Sequence, residues 1–205
     1  MKVLAEIPAR DASELRTGSL RRGDLEAHEG LLEGLGDARC ILATGHEPAT
    51  TRSVAVGLAA TAAARGSRVA LVECALADPG LAGALGLATA PGLHEYLRGT
   101  ADSAAILKPV VLAGPGSADA TEPLVCIVAG RPSGDGAHLL ASEPFARALA
   151  GLREAYELVV LLGPPLRDEN SLRPVLPPVD ATIACLGPDE SRKVPISAQG
   201  IVIQN

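Results

Sequence analysis

Short apolar runs punctuate the chain at residues 40–43, 69–72, 124–129, 158–162 and 182–186, with weaker ones at 3–7 and 201–203. In the central runs apolar residues follow one another without polar alternation, so a strand made from any of them must be covered on both faces. A parallel sheet between two layers of helices meets that demand. Aromatic residues contribute little to such a core: Phe145, Tyr96 and Tyr156 are the only ones, although 47% of the 205 residues are hydrophobic. Ala, Val, Leu and Ile must fill the interior.

The segments between the runs carry helical signals. Residues 53–65 are Ala-rich and are followed by Gly66, where a left-handed C-terminal cap is expected. Asp24 is placed to cap a helix over 25–35. Ser142 precedes Pro144 in a first turn, and Phe145, Leu149, Leu152 and Tyr156 then fall on one face. Short helices are expected at 80–86, 92–98 and 101–107, and long loops at 114–122 and 130–138. The fold class is α/β, a doubly wound and mostly parallel sheet flanked by helices. A length of 205 residues suits a single domain over 1–205, with 1–23 as an edge strand and loop leading into the core.

Charge and composition exclude several functions. The 18 basic and 24 acidic residues leave a net charge of −6, which disfavours a nucleic-acid partner. Cys40, Cys74, Cys126 and Cys185 form no CxxC pair, and with scattered His28, His46, His94 and His138 they give no metal-ligand spacing. They read as reduced, buried thiols. No metal site and no catalytic residue is expected. Residues 1–8 do not resemble a signal peptide, and no run reaches the roughly 18 apolar residues of a membrane span, so a cytoplasmic location without direct membrane insertion is expected. Neither a GxSxG elbow nor a dinucleotide fingerprint occurs, and His46, Glu47 and Ser53 are crowded in one loop without triad geometry. Tyr96 and Tyr156 read as half-buried packing residues. Asp168, Glu169, Asp189 and Glu190 read as solvated loop charges.

In an open parallel sheet a ligand is expected at the carboxyl ends of the strands. The loop after 40–43 opens a helix there and reads Gly45-His46-Glu47-Pro48-Ala49-Thr50-Thr51-Arg52-Ser53. A phosphate-binding loop at this place needs glycines with φ > 0, a Lys for the β- and γ-phosphates and a Ser or Thr for Mg²⁺. Two registers are open. With Pro48 as the frame, Arg52 and Ser53 take the Lys and Ser/Thr places while Ala49 and Thr51 replace glycines. With Gly45 as the first glycine, Thr50, Thr51 and Arg52 replace Gly, Lys and Ser/Thr. Either way glycine is missing where the cradle needs it, and a Thr held at φ > 0 would cost about 1–3 kcal/mol.

The order of landmarks resembles the ParA/MinD-like P-loop ATPases, and among them the bacterial tyrosine kinases of capsule and exopolysaccharide synthesis. The opening Val3-Leu4-Ala5-Glu6-Ile7-Pro8 is similar to that branch's VLGEIP-like start. Leu71-Val72-Glu73-Cys74-Ala75-Leu76-Ala77-Asp78-Pro79 stands where its LLIDADLRRP-type motif lies, and Gly92-Leu93-His94-Glu95-Tyr96-Leu97-Arg98-Gly99 matches a GLSEYLRG-like segment. Residues 156–165 follow its YDYVIIDTPP, and residues 180–186 and 200–205 its two late strands. The resemblance covers almost the whole chain and implies a P-loop NTPase-like three-layer sandwich.

The departures decide what the resemblance implies about function. Glu73 and Ala75 replace the two Asp of the second acidic motif, and Leu162 stands at the Walker B Asp that helps hold Mg²⁺ in the family. Phosphoryl transfer depends on positioning and on charge neutralisation, and loss of one such electrostatic group typically costs about 3–4 kcal/mol of barrier lowering. ATP with Mg²⁺ is the cofactor the resemblance implies; its pocket would be formed by Pro48, Thr50, Thr51, Arg52, Ser53, Glu73 and Asn205. Of the family's ring-assembly motif, a Glu and two spaced Arg, Glu26 is kept while Glu29 and Leu32 occupy the Arg places, which disfavours a ring-type homo-oligomer. No tyrosine follows Tyr156, so the family's tyrosine-cluster autophosphorylation is not expected. The implied role is that of a catalytically degenerate relative, a regulatory or scaffold protein in polysaccharide assembly whose partner is a membrane chain-length regulator or an active homologue. The alternatives are an ATP-binding protein or slow ATPase or kinase using Arg52, Ser53 and Glu73, and a ParA/MinD-like positioning protein.

Overall fold

The computed structural model describes residues 3–8, 22–110, 124–187 and 200–204. Its strands are β1 (Val3–Ile7), β2 (Cys40–Gly45), β3 (Val69–Glu73), β4 (Lys108–Val110), β5 (Leu124–Ile127), β6 (Leu158–Leu162), β7 (Ala181–Leu186) and β8 (Gly200–Gln204). They form one sheet in the order β1-β8-β7-β2-β6-β3-β5-β4. Neighbouring strands run parallel except at the β5–β4 edge, where Pro109 of β4 faces Val125 in an antiparallel pair. The expected doubly wound α/β fold is the one found.

Each apolar run serves two cores. Ile41 and Ala43 of β2, with Leu158, Val160 and Leu162 of β6, point to one face, which is covered by α1 (Arg22–Leu35), α2 (Pro48–Ala64) and α3 (Leu81–Leu85). Cys40 and Leu42, with Val159 and Leu161, point to the other. That face is covered by α4 (Leu93–Leu97), α5 (Ser103–Ile106), α6 (Gly136–Leu140), α7 (Glu143–Ala155) and α8 (Glu169–Leu172). The two-residue side-chain period of a strand makes this division automatic once the run is unbroken.

Helix α2 is buried from Thr51 to Ala62, apart from half-buried Arg52, because it lies between the sheet and α1. Small residues allow the approach: a Cβ on Gly57 would stand 2.2 Å from the His28 imidazole of α1. At the amino end of the sheet, Asp180 accepts hydrogen bonds from the backbone N–H groups of Arg39 (3.0 Å) and Cys40 (2.8 Å) and from the Arg153 guanidinium (2.8 Å). One carboxylate thus ties the starts of β2 and β7 to the end of α7.

Several local expectations need correction. Helix α2 begins at Pro48 and not near Ser53, since Pro at the first helical position, with its preset φ and missing N–H, is a strong start signal. Asp24 lies inside α1, which starts at Arg22. Ser142 stands at the N-cap of α7, but its hydroxyl donates to the Leu139 carbonyl and does not cap. The β5 strand ends at Ile127, and the carbonyls of Val128 and Ala129 receive the N–H groups of Leu93 and His94, each at 2.8 Å, docking α4. Asp168 caps α8 by accepting from Ser171 N–H at 3.2 Å, so it is not merely solvated. Helix α6 occupies the end of the expected 130–138 loop, and β4 and α8 were not foreseen. The 114–122 loop, Asp189 and Glu190 lie outside the described residues.

Candidate functional site

The tips of β2, β3 and β6 converge on the place where a ligand is expected. After Gly45 the chain makes a two-residue connection, with Glu47 in extended conformation at the N-cap, and turns directly into α2. Thr51 closes the first turn, its N–H and its hydroxyl both bonding the Glu47 carbonyl at 3.1 Å. Gly45 does not have a positive φ, and no non-glycine residue among those described has one. The glycine is required for close approach instead: a Cβ there would stand 2.2 Å from the Cys185 carbonyl oxygen and 2.5 Å from Thr51 Oγ1.

The segment after β6 folds over the same tip. Thr44 Oγ1 donates to the Pro164 carbonyl at 2.7 Å, Leu166 N–H donates to the Gly45 carbonyl at 2.8 Å, and Gly163 N–H donates to the Ala43 carbonyl at 2.8 Å. The crevice that remains is lined by Pro48, Thr51, Arg52, Glu73, Ala75 and Leu162, with Asp78, Gly163 and Pro165 beside them. Its volume is about 10 Å³. That is room for about one water, where small-molecule sites run to roughly 300–1,000 Å³.

Three charged residues line this crevice: Asp78 is exposed, while Glu73 and Arg52 are committed to packing. Glu73 is buried at the end of β3; its Oε1 accepts from Gly80 N–H and Leu81 N–H, both at 2.7 Å, and its Oε2 accepts from Ala129 N–H at 2.9 Å. A carboxylate bonded this way stabilises the first turn of α3 and joins β3 to the end of β5. Arg52 lays its guanidinium against Gly80, where a Cβ would be 1.9 Å from Nη2. Its Nε is buried without a hydrogen-bond partner among the described residues. No ion pair joins Arg52 to Glu73 among the described residues.

The crevice therefore brings together Pro48, Thr51, Arg52 and Glu73 of the predicted set. Thr50 lies on α2 outside it, Ser53 is buried beneath the helix, and Asn205 lies outside the described residues. Within residues 45–53 the chain from Pro48 onward is already helix, with Thr51 N–H bonded to the Glu47 carbonyl. As they stand, these residues do not fit a triphosphate with its metal.

A second polar cluster, missed by the sequence reading, lies at the tip of β5. Glu95 Oε2 accepts from Gly92 N–H at 2.8 Å and Oε1 accepts from Arg131 N–H at 3.2 Å. Burial alone would raise its pKa, but these N–H donors outweigh it and hold the carboxyl below its ordinary range. Gly130, at φ +93°, lets the backbone pass this carboxylate, since a Cβ there would be 2.1 Å from Oε2. Beside it the Asp135 carboxylate accepts from the Ser133 hydroxyl and from Arg98, while Arg98 Nε donates to His94 Nε2 at 2.9 Å. Because Arg98 separates Asp135 from His94, and the Ser133 hydroxyl bonds the carboxylate and not the imidazole, this is no nucleophile–base relay. Glu95 stands at the third position of α4, where a capping acid is expected, which was the available signal.

The four cysteines are all buried and unpaired. Burial pushes Cys40 up to about 11 and Cys126 up to about 12, and raises Cys74 and Cys185 further, so none presents a thiolate. No group of His, Cys, Asp and Glu among the described residues could hold a metal ion. No helix among the described residues is long and apolar enough to cross a membrane.

No family model and no curated protein matches the sequence. Solved structures do match. The crystal structure of the chimerical protein CapA2B2 superposes with a TM-score of 0.84 at 15% identity, covering 100% of this chain and 94% of that one. The kinase domain of the Escherichia coli tyrosine kinase ETK follows at 0.81 and 17%, covering 100% and 90%. A cobyrinic acid a,c-diamide synthase from Mycobacterium smegmatis, with bound ADP and magnesium, gives 0.56 and 19% over 80% of this chain and 71% of its own. The chain has the fold expected from its motif series.

Proposed function

We propose that this chain, folded as the bacterial tyrosine-kinase domains are, is a catalytically degenerate relative that regulates or scaffolds polysaccharide assembly. The observation that carries this reading is the winding of Pro48–Thr51 into the first turn of α2, which leaves about 10 Å³ at the strand tips. A bound triphosphate needs an open ring of N–H groups, a cation and a metal ligand. Here Thr51 N–H is spent on the Glu47 carbonyl and Pro48 offers none, Leu162 presents no carboxylate, and Glu73 is bonded to three N–H groups. Opening the crevice would mean unwinding a turn and freeing Thr51 from Gly45.

A protein that keeps such a domain without its chemistry acts through its surface. The partner in this reading is the cytoplasmic part of a membrane chain-length regulator or an active homologue, and the setting is cytoplasmic. The face of α1 also supports action outside a ring: Leu32 packs against the core and Glu29 is half-buried, where a ring would need exposed arginines.

One observation favours a second reading, an ATP-binding protein: the Arg52 guanidinium borders the crevice with its Nε unpartnered. Thermal melting with and without millimolar MgATP separates the two. Nucleotide at a hundredfold excess over Kd would stabilise the fold by about 2.7 kcal/mol, a shift of roughly 5–10 °C at this size. The degenerate reading predicts no shift. A shift of that size that disappears in Arg52→Ala would establish the second reading.

A further inference from the structure

All three aromatic residues of the chain line one hollow, separate from the crevice. Tyr96 of α4, with Phe145 and the adjoining Tyr156 of α7, wall a hollow of about 280 Å³ on the opposite face of the sheet. Its floor is Val72, Ile127 and Leu161, one residue from each of β3, β5 and β6. An apolar cavity of 150 Å³ is enough to hold benzene, so this one has room for a larger flat molecule. In a chain with so few aromatics, their convergence on an open space differs from the close-packed aliphatic interior elsewhere.

Along α7 the hollow is bordered by small residues: half-buried Ala148 and, on the solvent side, Gly151 and Ala155. Gly151 stands in the middle of the helix, where glycine is unfavourable, and a Cβ there would meet nothing within 4 Å. Packing within the chain gives no reason for glycine at this position. The polar side chains on the walls are Ser103, Arg147 and the two tyrosine hydroxyls. All four can donate a hydrogen bond and none is acidic. Arg147 pairs with Glu143 at 3.2 Å at the mouth, but that pair is exposed, with 69% and 78% of the side chains accessible. Such a pair is weak enough to yield to an incoming anion.

We infer that this hollow is a binding site for a compact, flat apolar molecule of one or two rings bearing a single anionic group. The rings enter between Tyr96, Phe145 and Tyr156, stacking at the offset or edge-on angles aromatic groups prefer, and the anion stays at the mouth beside Arg147. The inference does not depend on the reading of the crevice.

The test uses the full chain and 1-naphthoate as the probe, titrated calorimetrically while the tyrosine ring signals are followed by NMR. Both tyrosines of the protein line the hollow, so their signals report on it directly. Saturable binding at one site, with shifts of both tyrosine rings, is the expected result. Gly151→Leu and, separately, Ala148→Leu should fill the space and weaken binding at least about tenfold while the circular dichroism spectrum stays native. Arg147→Gln should weaken naphthoate about threefold to fivefold and leave neutral 1-naphthalenemethanol unaffected. Absence of saturable binding, or binding unchanged in both filled variants, would overturn the assignment. So would concentration-dependent broadening of the tyrosine signals without probe that Gly151→Leu abolishes, which would give the hollow to a second copy of the chain.

Discussion

Two regions of this domain invert what its architecture leads one to expect. At the carboxyl tips of β2, β3 and β6, where an open α/β sheet binds its ligand, about 10 Å³ of space is left. On the other face, beside α7, about 280 Å³ is open, although Phe145 and Leu149 of that helix are buried in the core. The first region is shut by ordinary means: a helix begun early at Pro48, a threonine set against Gly45, and a carboxylate given over to backbone N–H groups. The second is walled by equally ordinary means, the three aromatic side chains and small residues along the flank of one helix. Whether a site exists at a given place in a fold is thus decided by a few local choices that leave the strand order untouched.

The contrast is most exposed to failure at Glu73. If this carboxylate is a structural clamp, Glu73→Ala strands the buried N–H groups of Gly80, Leu81 and Ala129, each costing about 1–3 kcal/mol. Allowing for partial relaxation, the loss should be about 3–4 kcal/mol in urea unfolding. A change under about 1 kcal/mol would show that the clamp is not what holds Glu73 in place.

Glu95 links the two regions, since its helix α4 carries Tyr96 into the hollow and docks on the β5 tip. Its pKa is lowered in the folded state, so its stabilising effect is present above the ordinary Glu value of about 4.3 and is lost as pH falls through the lower folded value. Acid should therefore loosen the docking of α4, seen as a change in the tyrosine signals. In Glu95→Gln that change should vanish, and its persistence would place the acid-sensitive contact elsewhere.

The smallest effect, and opposite in sign, belongs to Gly151. Its Cβ has free space, so Gly151→Ala should raise stability by about 0.5–1 kcal/mol through helix propensity alone. A loss instead would mean that the helix is not as regular there, or the hollow not as open, as described.

The sheet was legible because burial on two faces leaves an unambiguous mark: the run at 158–162 became β6 with the same bounds. Less of the crevice could be read. The segment after 40–43 reads as a loop up to Arg52 that lacks the glycines of a phosphate cradle, although Pro48 within it marks a helix start. Glu73 was chosen for its place in a motif, but its role depends on N–H groups of α3 and β5's end that come together only on folding. Residues 108–110 are too short, with a proline, to announce an edge strand. The hollow left no signal, because Tyr96 and Tyr156 read as packing residues, as most half-buried tyrosines do, and its walls come together from separate helices and strands only on folding.

A crystal grown in millimolar ATP with magnesium tests the central claim most directly. The account predicts Pro48–Thr51 still wound into α2, Glu73 still bonded to Gly80, Leu81 and Ala129, and no triphosphate at the strand tips. Phosphates wrapped by residues 45–53, with a metal beside them, would contradict it.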